Sequence, residues 1–412
     1  MHFLLTQIEK IRQEFPELGE QVYGKALVYL DNAATSQRSL SVIRKWTEMS
    51  EKYNANLHRA VHRIADLATS EYEATRDAVR AYLNAEFREE IIFTSGATAS
   101  LNLVAYSFGE AFIHEGDEIL VGEAEHHSDI VPWQLLCQRK GATLKVLPVD
   151  DGGRLRMDLL PGLLTPRTKL CCVAHISNVL GLVNPVKEIV SVCHSNNCAV
   201  LVDGAQGIVH ERVDVRDLGC DFYAFSGHKV YAAPGTGVLY GRRDWLEQMP
   251  PFLGGGEMIG TVRWSGSTWA PLPQKFEAGT QNLAGTPTLR PALEMAEALR
   301  DPAVEAEINA IKELILNKLQ NDSRIRLYGV PQTLEEKIPL FSFSVEHVHH
   351  EDLALILDKM GIAVRSGQMC AEPLMDRFGV TGMLRVSFAP YNTVQEAEYF
   401  VSCLDRAISM LI

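Results

Sequence analysis

The chain has 412 residues, 46% of them hydrophobic, and a net charge of −13. That length and apolar content allow a large core and two domains. The acidic balance and the lack of a basic run argue against nucleic acid and anionic membrane as partners, and no apolar stretch approaches a membrane span. The opening residues, Met1-His-Phe-Leu-Leu-Thr-Gln-Ile8, lack the basic start and small-residue cleavage site of a secretory leader. A cytoplasmic location is the expectation. Eight cysteines are scattered with no CxxC pair, as buried thiols in a reducing compartment would be. Cys193, His194 and Cys198 lack a fourth ligand, and no metal is expected there.

In chain order, Phe3, Leu4, Ile8 and Ile11 fall on one side of a predicted amphipathic helix. Val28-Tyr-Leu-Asp31-Asn-Ala-Ala-Thr35 reads as a strand ending in a turn of small residues. Glu90 to Ser100 reads as strand, glycine turn and helix. Gly96, Ala97 and Thr98 let the backbone approach an anion, and a helix start offers free N–H groups and a positive dipole end. The segment is a predicted phosphate cradle. Ile119 to His127 is another strand with a polar end, where the pair His126-His127 also suits a capping role. Lys169 to Gly181 continues the alternation of strand and polar end.

Two later strands carry the strongest chemistry. Ala199-Val-Leu-Val-Asp203 runs straight from apolar residues into an aspartate, and Phe222, Tyr223 and Phe225 lead into Ser226-Gly-His-Lys229. In a parallel sheet, ligands sit beyond the carboxyl ends of the strands, so both polar ends point to one rim. A desolvated lysine amine condenses with an aldehyde, and a carboxylate can keep a pyridine nitrogen protonated. Pyridoxal phosphate needs both. A lone lysine after a strand is ordinarily solvated, and a lone aspartate there ordinarily caps a helix; the pairing carries the argument.

Pro234-Gly-Thr-Gly-Val-Leu-Tyr-Gly241 imitates a dinucleotide loop, but Tyr240 stands where the third glycine belongs and no GKS or GKT follows. Residues 251–270 are rich in glycine and tryptophan. A long helix is predicted over Thr286 to Arg300. A second domain follows: a helix near Val304–Gln320, strands Ile325–Tyr328 and Leu340–Val345, a helix near Asp352–Met360, further strands, and a last helix opened by the capping box Thr393-Val-Gln-Glu396. His347, His349 and His350 read as a polar loop rather than a metal site. In Arg365-Ser-Gly367-Gln-Met-Cys370, a cysteine on a glycine-containing loop after a strand is exposed enough to react.

The Asp203-Gly-Ala-Gln206 and Ser226-Gly-His-Lys229 motifs resemble the class V aminotransferase group of fold-type I pyridoxal-phosphate enzymes. The chain is most similar to group II cysteine desulfurases of the Suf and Csd kind, from about Leu27 to the C-terminus. The resemblance implies an α/β fold: a large domain with a mixed, mostly parallel sheet flanked by helices, and a smaller α+β C-terminal domain. The expected boundaries are an N-terminal helical segment over 1–20 packing with the small domain, a cofactor domain over 21–295, and a C-terminal domain over 296–412 carrying the cysteine loop. It implies Lys229 as the cofactor lysine, Asp203 at the ring nitrogen, and His126, rather than His127, stacked on the ring. Asn178 and Gln206 belong near the ring oxygen. Ser226 and His228 join Ala97 and Thr98 on the phosphate. Thr280, on the loop Phe276 to Asn282, reaches the neighbouring subunit's phosphate in an obligate homodimer. Residues 251–270 become a hairpin near the dimer interface. His58, Asn178, Arg365 and Arg385 lie on the substrate side, with Arg385 clamping the carboxylate, and Cys370 is the sulfur nucleophile.

Three departures from the family pattern stand out. Ala99 replaces a common glutamate, Ala232-Ala233 replaces Gly-Pro, and Met369 replaces the histidine before the nucleophile. The alanine at 232 implies a different local turn if the glycine used positive φ. The implied activity is conversion of L-cysteine to L-alanine with sulfur passed as a persulfide on Cys370 to an acceptor protein. Selenocysteine lyase and aminotransferase chemistry on the same scaffold are the alternatives.

Overall fold

A computed structural model describes residues 7–58 and 61–412 of the chain. Phe3 and Leu4 of the expected N-terminal helix, and Arg59 beside His58, lie outside the described residues. The rest of that helix spans Gln7–Gln13, with Ile8 buried. A small hairpin of β1 (Gln21–Val22) and β2 (Lys25–Ala26) follows, and then β3 (Val28–Tyr29).

The centre is a seven-stranded sheet. Its strands are β4 (Ile91–Thr94), β5 (Glu118–Gly122), β6 (Thr143–Leu147), β7 (Thr168–Ala174), β8 (Ala199–Asp203), β9 (Phe222–Ser226) and β10 (Gly237–Gly241), in the order β4-β10-β9-β8-β7-β5-β6. Only β10 runs antiparallel to its neighbours. The glycine-rich stretch that imitates a dinucleotide loop, Pro234 to Gly241, is therefore β10 with the short turn before it. The strands are near-continuous apolar runs because helices cover both faces. Alternate residues divide between two cores. Leu120, Cys171, Val173, Val200, Val202 and Tyr223 enter one, while Ile119, Val121, Leu170, Cys172, Leu201 and Phe222 enter the other. That division is the period-two alternation of a strand.

β11 (Ile259–Arg263) and β12 (Gly266–Trp269) form an exposed hairpin within 251–270, as expected. A second sheet is built from β13 (Ile325–Tyr328), β14 (Leu340–Val345), β16 (Arg365–Gly367) and β17 (Met383–Ser387), in the antiparallel order β13-β14-β17-β16. It has its own core with helices Pro302–Asn321, His350–Lys359 and Val394–Leu411. β15 (Ile362–Ala363) pairs instead with β3, which brings Val28 and Leu30 into that second core. Thr393 and Glu396 form the anticipated capping box at the last helix. The helix expected over Thr286 to Arg300 begins as a 3₁₀ turn, Thr286–Thr288, and becomes α-helical over Leu289–Ala298. Where the two alanines stand, positive φ falls on Tyr231 (69°), one residue before Ala232.

One buried ion pair ties the β4 region to the segment that follows the hairpin. Arg76, fully buried, donates to both carboxylate oxygens of Glu277 at 2.7 and 2.9 Å, and Glu277 also accepts from the Phe93 N–H at 2.7 Å. Removing one partner of such a pair leaves a buried charge uncompensated. Glu277→Ala is expected to cost about 3–5 kcal/mol of stability, read as a lowered urea midpoint of the cofactor-free protein. An unchanged midpoint would show that Arg76 finds other acceptors.

Candidate active site

The polar strand ends meet at one rim. Beyond the carboxyl ends of β8 and β9 lies a cavity of about 280 Å³, bordered by Lys229, Asp203, His126, Cys370 and Arg385 among others. Pairing of Asp203 with Ala224 sets the register of these two parallel strands, so both chains leave the sheet on the same side.

Lys229 follows β9 after a single 3₁₀ turn, Gly227–Lys229. Burial pulls its amine below the usual lysine range and Arg385 adds to this, while Asp203 and Cys370 act in the opposite direction. Asp203, 6% exposed, uses Oδ1 to accept the Ala205 N–H at 2.9 Å. Burial raises its carboxyl above the ordinary range, opposed by Lys229. His126 accepts the Ser128 N–H on Nδ1 at 3.1 Å and lies 2.7 Å from the Ser128 hydroxyl. Burial, reinforced by Lys229, lowers its pKa to about 4, so the ring is neutral near pH 7.

The predicted cradle forms where helix Ala97–Phe112 begins. Ser226 Oγ accepts the Ala97 N–H at 2.8 Å, joining the end of β9 to the helix start. The close approach depends on glycine: a Cβ on Gly237 would lie 2.3 Å from the Gly96 Cα. Ala97, Thr98, Ser226 and His228 all border the cavity. His228 lies 3.2 Å from the Thr35 hydroxyl, and burial lowers its pKa to about 4. Gln206 donates to the Ala33 carbonyl at 2.8 Å. A polar corner at a helix start thus shares one cavity with a lysine and an aspartate, and the donor set fits pyridoxal phosphate.

The second sheet supplies the other wall. Arg385, on β17 and 3% exposed, donates to Asp31 at 3.1 Å and to the Asn178 carbonyl at 2.8 Å. Its Nε has no protein partner among the described residues. Arg365 stands 4.0 Å from the same Asp31 carboxylate. Cys370 is the one exposed cysteine of the eight. Asn178 donates its amide N–H to the Met369 carbonyl at 2.9 Å.

Two expected residues lie elsewhere. His58 does not border the cavity; its Nε2 is 3.1 Å from Glu73. Thr280 borders a separate cavity of about 260 Å³, with Ser95 and Ala99 on its wall, on the other side of the same helix start. Three features went unread in the sequence. Asp31 holds both arginines. His127 bonds to the Cys370 loop. Glu125 and Asp129 are fully buried and press against Asp203 electrostatically, each pushed up by burial, with Trp133 donating to Asp129 at 2.9 Å. Among the described residues no cluster suited to a metal ion occurs, and no helix is long and apolar enough to cross a membrane.

Known proteins share this architecture along the whole chain. The profile of the class-V aminotransferase family matches residues 28–400. A probable cysteine desulfurase of Vibrio cholerae is 42% identical over 408 residues, covering 99% of this chain and 100% of its own length. A cysteine desulfurase of Cronobacter sakazakii is 42% identical over 405 residues, covering 98% and 99%. Among solved structures, the cysteine desulfurase CsdA of Escherichia coli superposes with a TM-score of 0.90 at 38% identity, covering 99% of this chain and 100% of that one. With the profile and the full-length relatives in agreement, the chain belongs to the class-V aminotransferase family.

Proposed function

We propose that this chain is a pyridoxal-phosphate-dependent L-cysteine desulfurase that takes the sulfur of its substrate onto Cys370. The observation that carries the reading is the meeting of a desolvated lysine, a buried carboxylate and an exposed cysteine at one cavity. The full-length relatives named as cysteine desulfurases support it.

Lys229, Asp203, His126 and Gln206 are assigned to the cofactor ring, and Ala97, Thr98, Ser226 and His228 to its phosphate. Pyridoxal phosphate held there would supply an aldehyde for the substrate amine and an electron-withdrawing ring. Lys229, its amine made less basic by burial, removes the α-proton. Asp203 keeps the ring nitrogen protonated. Arg385, with Nε unpartnered, takes the substrate carboxylate, and Asn178 and Arg365 complete that side. The Cys370 thiolate then bonds to the substrate sulfur. The substrate's carbon–sulfur bond breaks with its electron pair left on carbon, and that carbon is protonated. L-cysteine and a thiol become L-alanine and a persulfide.

Domains over 21–295 and 296–412 face each other across the cavity, preceded by the segment over 1–20. Two copies associate, so that Thr280 serves the neighbouring subunit's phosphate. A cytoplasmic acceptor protein takes the persulfide sulfur into iron–sulfur clusters or other sulfur-containing products.

Three outcomes are expected. Lys229→Ala abolishes alanine release and the visible absorbance of the cofactor–lysine bond; a borohydride-reducible lysine adduct persisting in this variant would remove the assignment. Asp203→Ala loses a buried charge partner at a cost of about 2–5 kcal/mol, so cofactor dissociation rises roughly thirtyfold or more; equilibrium dialysis against pyridoxal phosphate measures it, and unchanged affinity would contradict the ring-nitrogen role. Cys370→Ser lowers alanine release from L-cysteine by about a thousandfold while L-selenocysteine is still processed. Equal activity of variant and wild type on L-cysteine would exclude Cys370 as the nucleophile.

A further inference from the structure

Cys370 sits on a loop whose backbone is held in an unusual shape. Its φ is 56°, and that of Met369 before it is 51°. Side chains other than glycine, asparagine and aspartate rarely adopt this left-handed region. Two in succession persist only where the surroundings over-determine them.

The surroundings here are specific. Ala371 N–H closes a turn onto the Gln368 carbonyl at 3.0 Å. The Met369 side chain is buried in the main core. Asn178, beyond the end of β7, donates to the Met369 carbonyl at 2.9 Å. The remaining two bonds come from His127, beyond the end of β5. Its backbone N–H donates to the Cys370 carbonyl at 2.7 Å. Its ring Nε2 accepts the N–H of Glu372 at 3.0 Å, one of the N–H groups left without a helical partner at the start of helix Glu372–Phe378. An imidazole that accepts on Nε2 carries its proton on Nδ1. One residue of the large sheet's rim therefore grips the cysteine loop on both sides of Ala371.

We propose that His127 is the positioning residue of the Cys370 loop: its Nε2 fixes the backbone after the cysteine and so sets where the thiol stands relative to the substrate sulfur. The proposal rests on Cys370 being the sulfur acceptor. His127 does not border the cavity, so it acts through the loop and not on the reacting atoms. The backbone bond from residue 127 survives substitution, so a change of side chain isolates the Nε2 contact. Sulfur transfer needs this geometry; removal of the α-proton by Lys229 does not. Small displacements of a reacting group carry large rate penalties.

The test uses holoenzyme in three forms: wild type, His127→Leu, which has no acceptor, and His127→Gln, whose side-chain oxygen can replace Nε2. Single-turnover persulfide formation with L-cysteine reads sulfur transfer. Exchange of the L-alanine α-proton into deuterated water reads the Lys229 step alone. Amide deuterium uptake over 368–374 reads the loop. His127→Leu is expected to slow persulfide formation by about tenfold to a hundredfold, leave alanine exchange unchanged, and raise deuterium uptake; His127→Gln restores all three readings toward wild type. Wild-type persulfide formation in His127→Leu would overturn the proposal. So would a parallel loss of alanine exchange, or failure of the glutamine to restore transfer. Cys370→Ser is run alongside. If it releases alanine from L-cysteine at the wild-type rate, the premise fails and the proposal with it; if it is inactive while His127→Leu is unaffected, only the positioning role fails.

Discussion

Lys229 and Asp203 are fixed by a single backbone constraint. β8 and β9 are adjacent, parallel and entirely buried, and their register pairs Asp203 with Ala224. Each strand runs out of apolar residues at the same rim, so an amine and a carboxylate are carried into one low-dielectric space. Neither charge is comfortable there. Burial lowers the lysine pKa and raises that of the aspartate, and each partly offsets the other's cost. A ligand that consumes the amine covalently and gives the carboxylate a cationic partner relieves both. The sheet thus creates a demand that pyridoxal phosphate meets.

The second sheet depends on the same rim. β17 brings Arg385 to the cavity, and the turn after β16 brings Cys370. Met369, Leu374 and Phe378 pack into the main core, and polar groups tie the two halves at the rim: Asn178 and His127 on the Cys370 loop, the Asn178 carbonyl on Arg385, and Asp31 on both arginines. Asp31 follows β3, which pairs with β15 and shares the second core. The arginines are therefore paired with a carboxylate that a substrate carboxylate resembles, and exchange of one for the other costs less than burying an unpaired charge.

How much was legible follows from what each residue needed. Strands ending in Asp203 and Ser226 could be read because apolar runs stop abruptly at a polar group, and that pattern is local. The cradle at Gly96 to Thr98 was legible for the same reason. Asn178, four residues beyond its strand, rests on the resemblance. His127 was not legible, since adjacent histidines at a strand end give no sign of which one turns toward the cavity and which toward the distant Cys370 loop. The strained pair Met369 and Cys370 was hidden because neither residue type favours positive φ; only long-range bonds impose it. Nothing in the sequence marks Glu125 and Asp129 as buried, and their burial beside Asp203 depends on packing under the rim. His58 and Thr280 were placed by resemblance. Within one chain they stand apart from the cavity, because neither sits on a strand end of the large sheet.

The central claim is that sulfur passes to Cys370 at the cavity built around Lys229. Mass spectrometry of peptides from the holoenzyme after a single turnover with L-cysteine, trapped with an alkylating agent, tests it directly. The account predicts one added sulfur atom on the peptide bearing Cys370 and none on peptides bearing the buried cysteines. Unmodified Cys370 alongside stoichiometric alanine release would contradict it.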